Sequence, residues 1–322
     1  MTQPPCRVVS LIASATEILH AMDGGALQVG RSHECDWPPE VLGLPALTRA
    51  KFKVSGAASG EIDRSVKTLV EQGLAVYEVF ADAMRDVAPD VILTQDQCEV
   101  CAVSLADVER AVATWSDCRA HVVSLRPHTL ADIYADNLRI ADAIGRWEEG
   151  EALNARMRAG FADVSRRVAG KSKPKLAFIE WIDPPMSGGH WMPELIAIAG
   201  GINLFGVHGG QSPWVSLDEI AAADPDVILV APCGFDLETT RAEMAVLDGN
   251  PVWQALRAVR DGQVFIADGN AYFNRPGPRL VESAEIIAMV LHSEGDSRHL
   301  GQRLGQHVEA AVERHRPAVR ME

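Results

Sequence analysis

Ala88-Pro89-Asp90-Val91-Ile92-Leu93 and Asp224-Pro225-Asp226-Val227-Ile228-Leu229 carry the same instruction at two places in the chain. In each, a proline disfavours helix at the residue before it, and a run of β-branched and aliphatic residues follows at once. Each therefore reads as a helix stopped and a buried strand begun. A second echo lies upstream of both. Glu17-Ile18-Leu19-His20-Ala21-Met22-Asp23-Gly24-Gly25 precedes the first, and Glu194-Leu195-Ile196-Ala197-Ile198-Ala199-Gly200-Gly201 precedes the second. Both read as helices ended by glycines that supply a left-handed cap. The echoes occur in the same order, so the chain reads as two copies of one α/β unit. The spacing between echoes is 72 residues in the first copy (17 to 89) and 31 in the second (194 to 225), which places about 41 extra residues around positions 49–80.

Outward from these anchors, short β-branched runs alternate with helical patterns, the signature of parallel sheets covered by helices. Strands are expected at 8–12, 91–94, 122–125, 176–181, 227–230 and 264–267. Residues 129–170 read as helical, with Leu153, Met157, Phe161, Val164 and Val168 at helical spacing. The part from 148 to 168 would span about 30 Å at 1.5 Å per residue. The expected fold is thus α/β: two similar Rossmann-like lobes with parallel sheets, joined by one long backbone helix. The lobes are expected at 1–146 and 171–322, with the linking helix at 147–170. A further helix is expected at 280–292 and a polar surface helix at 298–315.

With 322 residues, 47% of them hydrophobic, the chain is long enough for two medium domains with real cores. The net charge of −14 argues against nucleic acid or an anionic membrane as partner, because both need a basic patch. No apolar run approaches the roughly 20 residues of a membrane helix, so no membrane insertion is expected. Residues 1–5 are polar and lead directly into the first strand, so the chain reads as cytoplasmic, or as periplasmic if its natural start lies upstream. A monomer is expected.

Several landmarks resemble one family. They are Arg7-Val8-Val9-Ser10-Leu11 with Ala15-Thr16-Glu17-Ile18, then Asp36-Trp37-Pro38-Pro39, Pro89-Asp90-Val91-Ile92, Pro213-Trp214-Val215-Ser216, and Tyr272-Phe273-Asn274-Arg275 with Pro278-Arg279. Their order over residues 7–292 resembles the helical-backbone (class III) periplasmic-type solute-binding proteins, above all the vitamin B12-binding branch of the cobalamin ABC importers. The resemblance implies a ligand clamped in the cleft between lobes, on loops at the carboxyl ends of the strands, as is general for open α/β sheets. It implies Asp36 and Trp37 as ligand-binding residues of the first lobe, and Trp214, Tyr272, Phe273 and Arg275 of the second. A corrinoid is a broad, largely apolar disc rimmed with amides, and flat aromatic faces with a few polar groups suit it. A siderophore or haem is the alternative ligand of the same fold. The resemblance also implies one acidic residue on each lobe that pairs with permease arginines, here Asp82 and Asp218, both shorter than the usual glutamates. The insertion near 49–80 and Ala271, where an acidic residue precedes the tyrosine in the cobalamin binders, depart from the pattern.

Other residues near the expected ligand loops have chemistry of their own. His190 lies in Pro184-Pro185-Met186-Ser187-Gly188-Gly189-His190-Trp191, whose glycines allow close backbone approach. It could cap a corrinoid cobalt or hydrogen-bond an amide, and His33 could play the same part. Cys98 and Cys101 form a Cys-x-x-Cys after an expected strand, and with His33 and Cys35 would make a tetrahedral zinc or cobalt-type site. Buried structural thiols or a redox pair are the other readings of these cysteines, the last making the chain a cytoplasmic metal or redox protein. No P-loop, Gly-x-Ser-x-Gly elbow or His-Glu-x-x-His is present, so no enzyme and no required cofactor are expected.

Overall fold

The computed structural model describes residues 6–51, 56–71, 76–96, 105–112, 120–292 and 310–316. The chain divides into two compact units. The first comprises residues 1–57 and 62–157, the second residues 58–61 and 158–322.

The first unit is built on β1 (Val8–Ser10), β2 (Gln28–Arg31), β5 (Val91–Gln95) and β6 (His121–Leu125), all parallel in the order β2-β1-β5-β6. Between β2 and β5 the chain adds β3 (Thr48–Ala50) and β4 (Tyr77–Val79), which pair antiparallel as a separate two-stranded sheet. Its helices are α1 (Ala13–Ala21), α2 (Ser59–Glu71) from residue 62 onward, α3 (Ala81–Asp86), α4 (Leu105–Val112) and α5 (Leu130–Ala143). The expected insertion is therefore β3, α2 and β4. It is part of the core: Leu47, Val76 and Tyr77 pack with Val9, Ile92 and Met84. Burying each such aliphatic side chain contributes about 1.5–3 kcal/mol, which offsets the entropy of ordering the added chain.

The linking helix α6 (Trp147–Val168) follows a break at Gly145, whose φ of 70° only glycine adopts without strain. Leu153 and Met157 are buried in its first half, Phe161 and Val164 in its second, and the division into units falls between 157 and 158. Gly160 is fixed by packing, because a Cβ there would stand 2.5 Å from Val281 Cγ1.

The second unit repeats the first. Strands β7 (Lys175–Trp181), β9 (Ile202–Asn203), β10 (Val227–Val230) and β11 (Val264–Ala267) are parallel, with β9 and β10 both pairing β7 and β11 pairing β10. The strand β8 (Met186–Ser187) adds antiparallel to β7, and β12 (Val312–Arg314) antiparallel to β11. The helices are α7 (Met192–Ile198), α8 (Leu217–Ala223), α9 (Leu237–Glu243), α10 (Ala245–Asp248), α11 (Pro251–Ala255), α12 (Arg257–Arg260), α13 (Gly269–Tyr272) and α14 (Leu280–His292). All six strands expected from the sequence are present.

The duplication is visible in atomic detail. Asp90 accepts the backbone N–H of Arg7 at 2.8 Å, and Asp226 accepts that of Lys175 at 2.8 Å. Each Pro-Asp thus ties its own strand to the start of the neighbouring one. The helix ends match too: Gly24 N donates to Leu19 O and Gly201 N to Ile196 O, both at 2.9 Å.

The polar helix expected at 298–315 needs correction over its described part, since residues 312–314 form an edge strand. The strand is secured by tertiary bonds: His315 N donates to Val264 O at 2.9 Å, and the His315 ring meets the Asp248 carboxylate at 2.9 Å.

Candidate functional site

In the first unit, the loop that follows β2 is shaped by Arg31. Its guanidinium donates to the carbonyls of Leu44, Ser32 and Cys35 at 3.3, 3.0 and 3.3 Å. The loop then presents Asp36 and Trp37 outward, Trp37 being 47% exposed. The inserted hairpin braces the same loop. Thr48 Oγ1 meets His33 Nδ1 at 2.8 Å and accepts the His33 backbone N–H at 3.1 Å, while the Tyr77 hydroxyl donates to Glu34 at 3.4 Å. Burial, then the nearby Glu34 charge, pushes the Tyr77 hydroxyl above its ordinary value, so it stays a donor. Burial, then Arg31, holds the His33 imidazole below its usual value, so it is neutral near pH 7.

Cys35 is fully buried, accepts from Thr16 Oγ1 at 3.1 Å and points its thiol at Ser10 O at 3.8 Å. That removes it from the expected tetrahedral metal set and makes it a packed, hydrogen-bonded thiol. Cys98 and Cys101 lie outside the described residues. Among the described residues, no group of three or more metal-binding side chains converges.

In the second unit, two loops at the carboxyl end of the sheet are stitched together. Ser187 N donates to Pro213 O at 2.9 Å, His190 N to Gly210 O at 2.6 Å, Gly209 N to His190 O at 3.0 Å and Val215 N to Pro185 O at 3.0 Å. The Gly189 N–H donates to Ser212 Oγ at 3.1 Å. The stitching explains the glycine pair: a Cβ on Gly189 would stand 2.5 Å from Ser212 N and 2.6 Å from Gln211 C. His190 occupies a left-handed conformation, φ 52°, and its ring stacks on Trp191 with centroids 5.8 Å apart. Trp214 leaves this loop 52% exposed.

The segment after β11 behaves differently from the expectation. Phe273 is 3% exposed and packs against Phe178 with ring centroids 5.2 Å apart, so it belongs to the core and leaves the ligand set. Tyr272 is 7% exposed, and the Arg279 guanidinium covers its ring at 5.3 Å. Arg275 is 5% exposed and donates to Asn270 Oδ1 at 3.0 Å. Asp268 caps α13 by accepting Ala271 N–H at 2.7 Å, and burial raises its carboxyl above the ordinary value. This corner is a packed polar support. Of the four aromatic residues expected to face a ligand, Tyr272 and Phe273 are buried, while Trp37 in the first unit and Trp214 in the second are each about half exposed.

One residue of this face was not anticipated from the sequence. Glu180 stands near the end of β7, and its backbone carbonyl accepts the Cys233 N–H at 2.9 Å. Burial pushes its carboxyl up to about 7. The sequence signal was available: Glu180 is the single acid in Phe178-Ile179-Glu180-Trp181, an otherwise apolar stretch of β7. A raised carboxyl costs stability where it is ionised. The cost is absent below pH 4.5, where the acid is protonated folded and unfolded, and grows until pH passes about 7. Glu180→Gln is therefore expected to raise stability by about 1–2 kcal/mol at pH 8, discounted because part of the side chain reaches solvent, with no gain at pH 4. Thermal melts at the two pH values check it; equal shifts at both would mean the charge is not what burial opposes.

Asp82 and Asp218 are exposed in the first turns of α3 and α8; the Asp82 side chain is 89% exposed and lies 3.0 Å from Arg85. A depression of about 470 Å³ lined by Ala221, Pro225, Val252 and Arg257 lies near the start of β10. Its Arg257 is already bonded to Asp224 and Asp226. No helix among the described residues is long and apolar enough to cross a membrane.

Comparison with known proteins agrees with this architecture. The vitamin B12-binding protein of Vibrio cholerae is 24% identical over 295 residues, covering 89% of this chain and 90% of that protein. An ABC transporter substrate-binding lipoprotein of Bacillus subtilis is 21% identical over 299 residues, 90% of this chain and 81% of that protein. The crystal structure of a periplasmic haem-binding protein from Pseudomonas aeruginosa superposes with a TM-score of 0.67 at 19% identity, covering 91% of this chain and 95% of that one. The family model described as periplasmic binding protein matches residues 8–271. With two α/β units, one long linking helix and that match over most of its length, the chain belongs to the periplasmic binding protein family, whose members bind solutes without catalysis.

Proposed function

We propose that this protein is the substrate-binding component of an ABC-type importer and that its solute is a corrinoid. The observation that carries the reading is the pair of tryptophans, Trp37 and Trp214. One stands on each unit, in a proline-bounded loop after a strand, and each exposes about half of its surface. A large aromatic left half-exposed in a braced loop is suited to covering a broad apolar disc. The similarity to the Vibrio cholerae vitamin B12-binding protein over nine-tenths of both chains supports the same ligand class. The family and the lipoprotein relative support placing the protein outside the cytoplasmic membrane, against the cytoplasmic expectation.

The test is titration of purified, reduced protein with cyanocobalamin and aquocobalamin, followed by visible absorbance and calorimetry. Micromolar or tighter binding of both is expected. A spectral shift with the aquo form alone would place His190 or His33 on cobalt. Binding of haemin with neither cobalamin would replace the corrinoid by haem.

Asp82 and Asp218 are the acidic groups offered to a permease. Reversing both (Asp82→Lys, Asp218→Lys) is expected to leave the cobalamin Kd unchanged. It should also slow ligand-dependent stimulation of the importer's ATPase, as rim charges govern encounter more than affinity. Unchanged stimulation would remove both from the docking surface.

A further inference from the structure

We infer that His33 is the side chain that coordinates the metal of the bound macrocycle, through an Nε2 lone pair that the inserted hairpin fixes in place. On the corrinoid reading, on which this rests, that metal is cobalt.

Thr48 opens β3, the first strand of the inserted hairpin, and is 1% exposed. Its hydroxyl meets three groups of the loop after β2. It accepts the His33 backbone N–H at 3.1 Å, donates to Ser32 Oγ at 3.1 Å, and lies 2.8 Å from the His33 ring at Nδ1. A hydroxyl has one proton, and here Ser32 receives it. The short contact with the ring therefore takes its proton from Nδ1. A neutral imidazole protonated at Nδ1 carries its free lone pair at Nε2. Ser32 is held in turn, its N–H donating to Ser10 O at 2.8 Å, so the acceptor side of the arrangement is anchored on β1.

The same contacts hold the ring still. One edge is pinned on buried Thr48, and the Tyr77 ring from β4 lies against it with centroids 5.7 Å apart. The Nε2 edge has no hydrogen-bond partner among the described residues, and His33 is half-buried rather than sealed. The loop leaves the carboxyl end of β2 and reaches half-exposed Trp37 four residues later. An unprotonated imidazole nitrogen, oriented through a hydrogen bond at the other nitrogen, is the arrangement by which histidines bind metals. The His190 ring is held otherwise, stacked on Trp191, which is 7% exposed. In aquocobalamin the upper axial position holds water. The Nε2 lone pair forms the Co–N bond as that water leaves; cobalt(III) keeps its oxidation state and no proton moves. In cyanocobalamin the same position is taken by cyanide.

Two measurements test this. Long-range proton–nitrogen NMR spectra of 15N-histidine-labelled protein, with His33 assigned by the signals missing in His33→Gln, report which ring nitrogen carries the proton. Nδ1–H is expected; Nε2–H overturns the inference whatever the ligand. The second is the Kd and visible spectrum of aquocobalamin and cyanocobalamin at pH 7. The wild type is expected to bind the aquo form about tenfold or more tightly than the cyano form, with a shift of its visible bands. His33→Gln should lose the shift and bring the ratio to about threefold or less. Thr48→Val, which keeps the imidazole but removes the bond that orients it, should lower the ratio at least about twofold. Melting curves report that both variants fold. No shift in the wild type, or an unchanged ratio in either variant, overturns the inference while cobalamin binding itself stands. Binding of neither cobalamin overturns the corrinoid reading and the inference with it.

Discussion

Replacing Trp37 and Trp214 together by alanine is expected to weaken cobalamin binding by about 3 kcal/mol, roughly a hundredfold, with little change in melting temperature. The binding loss follows from area. Each indole leaves about half its surface in solvent, and a stacked aromatic face of that kind contributes about 1–3 kcal/mol when a ligand covers it. The two residues sit in different units, so their losses should add. Stability should hold for the same reason that binding fails. A half-exposed side chain has given up little contact with water on folding, and the loops are fixed by other groups: Arg31 and Thr48 around the first, backbone bonds from Ser187, His190 and Val215 around the second. Calorimetry on each single variant and on the double variant checks the sum. A double variant with wild-type affinity would mean that neither loop touches the solute; a collapsed melt would mean that the indoles serve the fold.

The fold was legible because its signals are local. Pro89-Asp90 and Pro225-Asp226 mark strand starts by backbone sterics, and the same aspartates turn out to tie the neighbouring strands. Leu153, Met157, Phe161, Val164 and Val168 announce α6 by spacing alone; the first four are buried and Val168 is half-buried. The site was less legible, because exposure is a tertiary property. Trp37 and Phe273 are both aromatics in non-periodic stretches, yet the first is half-exposed and the second is core; Phe178 and the preceding helical turn decide that, not the neighbouring sequence. Cys35 shows the same limit, since a fully buried thiol and a metal ligand look identical in one dimension. The edge strand at 312–314 has three partly or fully exposed residues and no alternation to betray it; it is strand because β11 offers an open edge. Glu180 could have been noticed as the lone acid beside Phe178, Ile179 and Trp181, but the burial that raises its carboxyl is a tertiary property.

Gly189→Ala is expected to cost about 2–4 kcal/mol of stability and to lower cobalamin affinity at the same time. The added methyl group would stand 2.5 Å from Ser212 N, 2.6 Å from Gln211 C and 2.7 Å from Gly210 O. All three are backbone atoms, so no rotamer change relieves the contact; one loop must move away from the other. Movement breaks the Gly189 bond to Ser212 and pulls on His190 N, which donates to Gly210 O at 2.6 Å. Since Trp214 rides on the displaced loop, the face proposed for the ligand moves with it. Gly145→Ala serves as the comparison. Gly145 has φ 70° with nothing within 4 Å of an added Cβ, so it should cost only the backbone strain, about 1 kcal/mol, and leave the cobalamin Kd alone. Melting curves and titrations of both variants separate the two effects. If Gly189→Ala lowered the melting temperature no more than Gly145→Ala and bound cobalamin as the wild type does, the two loops would not be held against each other in solution. The ligand face of the second unit would then have to be sought elsewhere on its sheet.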